Sequence, residues 1–299
     1  MTMHADELEV DASLVCRLLE AQLPEWADLP VERVRSDGTD NAIFRLGEDM
    51  AVRLPRYPGA AAQSEKEARW LPRLAPRLPL DVPVPLAAGV PGEGYPWPWL
   101  VARWLPGEVA TAAPVADYLE AAVELAGFVA ALRALDPAGG PGPGGHNFGR
   151  GAPLATRDEE VQGALARLHG DVDVAAAAKA WQRSLEADAW DAPPVWIHGD
   201  LHGGNLLVAG GRLSGVVDFG GLGVGDPACD TMPAWTFFPA EAREVFRSEL
   251  EVDDATWERG RGWVLSMGLM AVPYYRDTNP PLAANARRWI EEALSDRGR

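Results

Sequence analysis

The chain is short of several things, and each shortage closes off a class of protein. Only two cysteines, Cys16 and Cys229, occur in 299 residues. That is too few for a disulfide framework or, by themselves, for a four-ligand zinc site. No apolar run approaches the roughly 20 residues of a membrane span. The opening MTMHADELEV lacks the basic-then-apolar pattern of a secretory signal. The expectation is a cytoplasmic protein with reduced thiols and no membrane partner. Lysine is almost absent, with Lys66 and Lys179 standing against 25 arginines. Neither lysine follows a glycine-rich loop, which excludes a Walker-type phosphate loop. The formal net charge of −17 argues against nucleic acid as a partner, because phosphate backbones are held by clustered Lys and Arg. An acidic surface would speed the encounter with a cationic substrate. A general acidic bias that serves solubility accounts for the same number.

What is present divides the chain in two. Leu14, Val15, Leu18 and Leu19 share one face of a helix over residues 11–22, which opens with capping residues. Ala42, Phe44 and Leu46 alternate with polar neighbours, Gly-Glu-Asp makes a turn, and Met50, Val52 and Leu54 alternate again. That pattern predicts a β-hairpin. Residues 60–75 return to helical spacing. The prolines of VPVPLAAGV demand extended backbone, and WPWLVARWLPGE reads as a buried strand ending at a Pro-Gly break. Beyond it, helices are expected over 114–135, 158–168, 174–190, 241–250, 254–272 and 282–295. A glycine- and proline-rich loop, PAGGPGPGGHNFGRG, reads as too flexible to be core. A β-rich front, residues 1–105, and a mostly helical back, residues 106–299, are expected.

One β-rich island interrupts the helices, VWIHGDLHGGNLLVAGGRLSGVVDFG. It carries Asp200-x₄-Asn205 and, thirteen residues on, Asp218-Phe219-Gly220. In that order these match the catalytic loop and metal-binding turn of kinase-like enzymes. Phosphoryl transfer needs a carboxylate to orient an attacking hydroxyl and accept its proton, a role that falls to Asp200. It also needs hard oxygen ligands to place Mg²⁺ on the triphosphate, which Asn205 and Asp218 supply. Three rival readings compete. His, Asp and Asn commonly cap turns in glycine-rich hairpins, but two ordered motifs make that reading poor. His198-x-Asp200-x-His202 is a metallohydrolase-like spacing with no further His-rich segment to complete it. A dinucleotide site fails because Asp226 stands where its third glycine belongs.

HGDLHGGN, DFGG and GDPACD in succession resemble the aminoglycoside phosphotransferase family, a kinase-like superfamily of small-molecule kinases. The resemblance runs from about residue 31 to at least residue 240, and its motifs are silent about the substrate. It implies an α+β, protein-kinase-like two-lobe fold. An N-terminal lobe with a five-stranded antiparallel sheet would bind nucleotide, and a larger helical C-terminal lobe would take the acceptor. The implied cofactors are ATP, with GTP as the alternative, and Mg²⁺. The implied acceptor is a hydroxyl on a small molecule, an aminoglycoside or other antibiotic among the candidates. SDGTDNAIFRL is similar to the family's phosphate-covering hairpin. Arg53 occupies the strand position where the family has a phosphate-binding lysine, which is not a neutral exchange, and Glu67 is its implied helical partner. WLVARWLPGE resembles the adenine-binding hinge, with Arg103 C=O and Leu105 N–H as the bonding groups. Asp226 and Asp230 resemble bracing carboxylates, and His198 a structural histidine. Asn147, Arg150, Trp235, Tyr274, Tyr275 and Asp277 are candidates for the acceptor wall. A nucleotide-binding pseudokinase, acting as sensor or scaffold, is the alternative that the arginine at position 53 favours.

Overall fold

The alternation on either side of Gly47 folds as expected. In the computed structural model, which describes residues 8–34, 40–168, 170 and 172–296, it forms a regular antiparallel hairpin. The chain divides into two compact units, Met1–Gly107 with Ser214–Gly220, and Glu108–Leu213 with Gly221–Arg299.

In the first unit α1 (Ala12–Gln22) is capped by Asp11, whose carboxylate accepts from Leu14 N–H at 2.8 Å. Strands β1 (Val31–Arg33), β2 (Asn41–Leu46) and β3 (Met50–Pro55) follow. Then come α2 (Pro58–Leu74), β4 (Pro85–Gly89) and β5 (Trp99–Arg103). The five strands make one antiparallel sheet in the order β1-β2-β3-β5-β4. Leu14, Val15, Leu18 and Leu19 pack on Ala42, Phe44, Leu46, Met50, Val52, Leu54, Trp99 and Val101 to form the core. Because β3 is central, both its faces are covered, and Ala51 and Arg53 are turned away from that core. Gly89 on the edge strand has to be glycine: an added Cβ would lie 1.9 Å from the Trp99 ring, which crosses it.

The second unit begins with β6 (Glu108–Val109), α3 (Tyr118–Arg133), α4 (Asp158–Leu165) and α5 (Val174–Glu186). Helix α3 starts four residues later than the apolar pattern suggests, since Asp117 caps it by accepting from Leu119 and Glu120 N–H. Next come β7 (Val195–Ile197), β8 (Leu206–Ala209) and β9 (Arg212–Val216), the last residues of β9 belonging to the first unit. Strand β10 (Gly223–Gly225) pairs antiparallel with β7. Helices α6 (Pro233–Thr236), α7 (Ala240–Leu250), α8 (Asp254–Tyr275) and α9 (Pro280–Ser295) complete the chain. The glycine-rich loop stays largely at the surface, as expected, but it is anchored from inside by a few buried residues. Asn147 is fully buried, accepting from Gly144 N–H and donating to Arg150 C=O. Gly140 lies so close to Trp196 and Val224 that a Cβ would collide with both. Among the described residues no helix is long and apolar enough to cross a membrane.

Candidate active site

In the first unit the site residues are set by the two faces of β3. Arg53 leaves the face opposite the core, and its guanidinium forks onto Glu67 of α2. Nη1 bonds Oε2, and Nη2 bonds Oε1 at 3.1 Å. The Glu67 side chain is only 1% exposed. Burial would lower the Arg53 pKa, but Glu67, then Asp218 and Asp40, outweigh it, so the guanidinium stays charged. The pairing expected from the sequence is therefore present. Arg103 and Leu105 lie at and just past the end of β5, where Arg103 N–H donates to Val84 C=O and Trp104 N–H to Asp49 C=O. Of the segment expected to cover phosphate, residues 36–39 lie outside the described residues.

Asp218 follows β9 with φ +62, a left-handed conformation that asparagine, aspartate and glycine tolerate best. Its Oδ1 accepts from Gly220 N–H at 3.3 Å. The turn is held to the rest of the unit through Asp81, which accepts from Val216 N–H at 2.8 Å and donates to Ser214 C=O. A cation missed by sequence reasoning stands here: Lys66 Nζ donates to Gly220 C=O at 2.6 Å. The only signal available was its rarity and its place beside Glu67.

In the second unit the His-Gly-Asp segment is clamped from below. Asp230 accepts from His198 N–H at 2.8 Å and from Gly199 N–H at 2.7 Å, one oxygen each. Its complete burial pushes its pKa up to about 6, against those two bonds and the charge of Arg133. Gly199 sits at φ +82, and a Cβ there would be 2.5 Å from Gly221 C=O, so no other residue fits. Asp226 caps the next turn, accepting from Ala228 N–H, and binds Arg259 of α8 bidentately at 2.8 and 3.1 Å.

Asp200 emerges from this clamp with its side chain 29% exposed. Asn205 Nδ2 donates to its C=O at 2.8 Å and to Oδ2 at 3.2 Å. Arg150 Nε holds Gly199 C=O at 2.7 Å while Nη2 stands 3.5 Å from Asp200 Oδ1. His202 Nε2 lies 3.7 Å from Oδ2. Because His202 Nδ1 accepts from Gly204 N–H at 3.0 Å, Nε2 carries the ring proton and faces the carboxylate. Burial alone would raise the Asp200 pKa. The His202 N–H turned towards it and the charge of Arg150 overcome it and hold the carboxyl well below the usual range. A partly exposed carboxylate, ionised at rest and held in a hydrogen-bonded loop, can orient a hydroxyl and take its proton late in a reaction.

The other candidates separate cleanly. Arg150 reaches Asp200, as above. Asn147 and Trp235 are buried, Trp235 donating from Nε1 to Asp296, so neither side chain is presented at the surface. Tyr274 and Tyr275 pack edge-on against each other, Tyr274 half exposed, and Asp277 is exposed nearby. The metallohydrolase spacing finds no group: His198 is fully buried with Nδ1 turned to Asp200 N–H. No cluster of three His, Cys, Asp or Glu suited to a metal occurs among the described residues.

Comparison with known proteins adds a family and a fold. The model of the phosphotransferase enzyme family matches residues 31–263. No protein of curated function matches the chain. Among solved structures, a GDP and kanamycin complex of an aminoglycoside phosphotransferase of the APH(2'') type is 19% identical. It covers 95% of this chain and 99% of its own, with a TM-score of 0.74. Macrolide 2'-phosphotransferase type I is 21% identical, covering 94% and 97%, with a TM-score of 0.64. An apo macrolide 2'-phosphotransferase from Brachybacterium faecium is 24% identical, covering 95% and 99%, with a TM-score of 0.60. The fold is kinase-like, with a five-stranded antiparallel sheet followed by a mostly helical part.

Proposed function

Since the chain belongs to the phosphotransferase enzyme family, we propose that it transfers the γ-phosphate of ATP, or of GTP as the alternative donor, to a hydroxyl of a small molecule. The observation that carries this reading is Asp200, ionised, partly exposed and fixed by Asn205 and Arg150. In this reading Asp200 orients the acceptor hydroxyl. The hydroxyl oxygen bonds to the γ-phosphorus as the bond to the β-phosphate oxygen breaks, the proton passes to Asp200, and the nucleoside diphosphate leaves. Arg53, kept in place by Glu67, faces the phosphates, and Arg103 C=O with Leu105 N–H hold the base.

The donor set suits Mg²⁺. Asn205 spends its amide hydrogens on Asp200, which leaves Oδ1 as its coordinating atom, and Asp218 offers a carboxylate. Both are the hard oxygen ligands that Mg²⁺ takes. In unit one, Gln63 Oε1 is buried beside Gly220 with no partner among the described residues, as expected next to a hydrated cation. When bound, Mg²⁺ neutralises charge developing on the phosphates.

Solved relatives include complexes with GDP and kanamycin and with gentamicin, and the macrolide enzymes above. Antibiotics of both classes are therefore the first acceptors to try, and resistance to them is the role this would imply. The test is release of ADP or GDP from Mg²⁺–ATP or Mg²⁺–GTP across aminoglycosides, macrolides, sugars and amino alcohols. A signal lost in Asp200→Asn supports the kinase. Tight nucleotide binding with no turnover on any acceptor, and no slow hydrolysis, supports instead the sensor or scaffold that Arg53 would allow.

A further inference from the structure

Helix α2 presents three buried polar side chains on one face, Gln63, Lys66 and Glu67, at spacings of three and four. Glu67 goes to Arg53. Of the other two, Lys66 bonds the metal turn and Gln63 lies beside it. Lys66 Nζ donates to Gly220 C=O at 2.6 Å. Gln63 donates from Nε2 to Asp40 Oδ2 at 2.9 Å, and its Oε1 and Asp218 Oδ1 flank Gly220. A carbon added there would lie 2.8 Å from the first and 3.2 Å from the second. Lys66 is 7% exposed and is one of only two lysines beside 25 arginines.

A buried ammonium is costly, and burial lowers the Lys66 pKa to about 8 although Glu67 and Asp218 pull the other way. An arginine would have been the ordinary cation for this composition. The compact ammonium fits a single carbonyl at short range, whereas a planar fork spreads its donors. Arg53 commits its fork to Glu67, so the short cation beside Asp218 comes from the helix.

We propose that Lys66 is a positioning residue of the phosphotransfer site. It holds the Asp218–Gly220 turn through Gly220 C=O so that Asp218 is presented to Mg²⁺, the place on the strand being taken by Arg53. The inference rests on the kinase reading above. It predicts a defect in coupling between metal and nucleotide, which a residue that merely fills space would not produce.

The experiment is calorimetric titration of ADP, with and without Mg²⁺, into wild type, Lys66→Met and Lys66→Arg, with melting temperatures recorded. In wild type Mg²⁺ should tighten ADP binding. In Lys66→Met most of that gain should vanish, a loss of about tenfold or more as for other residues behind a metal ligand. Metal-free ADP affinity should stay within about twofold of wild type, and kcat should fall while the acceptor KM holds. Lys66→Arg keeps the charge and should recover part of the gain. It also carries the test if the methionine variant does not fold, since its Mg²⁺ gain must still fall below wild type. A full Mg²⁺ gain in the folded variants overturns the inference, as does an equal loss with and without metal. If wild type itself shows no Mg²⁺-dependent nucleotide binding, the kinase reading falls, and the inference with it.

Discussion

Each unit contains a buried carboxylate that holds something else in place, and the two work differently. Glu67 in the first unit grips another side chain, the Arg53 guanidinium carried on a strand. Asp230 in the second grips the backbone itself, one oxygen on each N–H of His198 and Gly199. A grip between side chains needs both residues, so removing either leaves a buried charge without its partner. A grip on backbone depends on the path of the chain, and that path depends on Gly199 at φ +82. By its geometry the first arrangement allows some exchange, since any cation that the carboxylate can reach would serve it. The second tolerates almost none.

The largest expected effect breaks the chemistry and leaves both grips intact. Asp200→Asn should lower kcat by about 10²–10⁴-fold, with ADP affinity measured by calorimetry within about twofold of wild type. Next, Glu67→Ala should destabilise the protein by about 3–5 kcal/mol in urea unfolding, because Arg53 is left buried and unpaired. Adding Arg53→Met should recover part of that loss, and a double variant no better than the single would show that the pair is not a unit. Gly199→Ala should cost about 1–3 kcal/mol for its backbone conformation. A Cβ 2.5 Å from Gly221 C=O should in addition displace the loop, so that activity falls further than stability.

Asp230→Asn sharpens the contrast through pH. Burial raises the Asp230 pKa to about 6, above the unfolded value near ~3.9, so the folded state takes up the proton more readily. The stability this contributes is complete below about pH 4 and is lost as pH rises through about 6. Wild-type melting temperature should therefore carry a falling component between those values that Asp230→Asn lacks. Identical pH profiles would remove Asp230 as its source. Smallest of all is Arg212→Ala, which removes ion pairs to Glu120 and Glu124 at an exposed site. It should leave the unfolding midpoint unchanged, since such pairs are worth little in water.

Much of the fold was legible because its signals are local. Alternation in β2 and β3, the helical stripe of α1 and the spacing Asp200-x₄-Asn205 each depend on a few neighbouring residues. The Arg53–Glu67 pair was legible only through the resemblance, since fourteen residues of sequence separate the partners. Three things escaped. The glycine- and proline-rich loop gives no sign of an anchor, yet Asn147 ties it down from inside through Gly144 and Arg150. Of the acceptor-wall candidates, no local pattern told Trp235 and Asn147, which are core, from those at the surface. Lys66 drew no role from the sequence.

By itself the sequence determined the order of strands and helices, the two motifs and the residue types that phosphoryl transfer needs. These follow from backbone propensity and from what carboxylates, amides and guanidinium groups can bind. Tertiary structure alone decided which polar residues meet. It alone put Asp230 beneath Gly199, Arg150 beside Asp200 and Lys66 against Gly220. Those meetings join residues 31, 50 and 154 positions apart, and no periodicity reaches that far. They arise because a buried charge must find a partner, and packing, through the whole chain at once, fixes which partner is within reach.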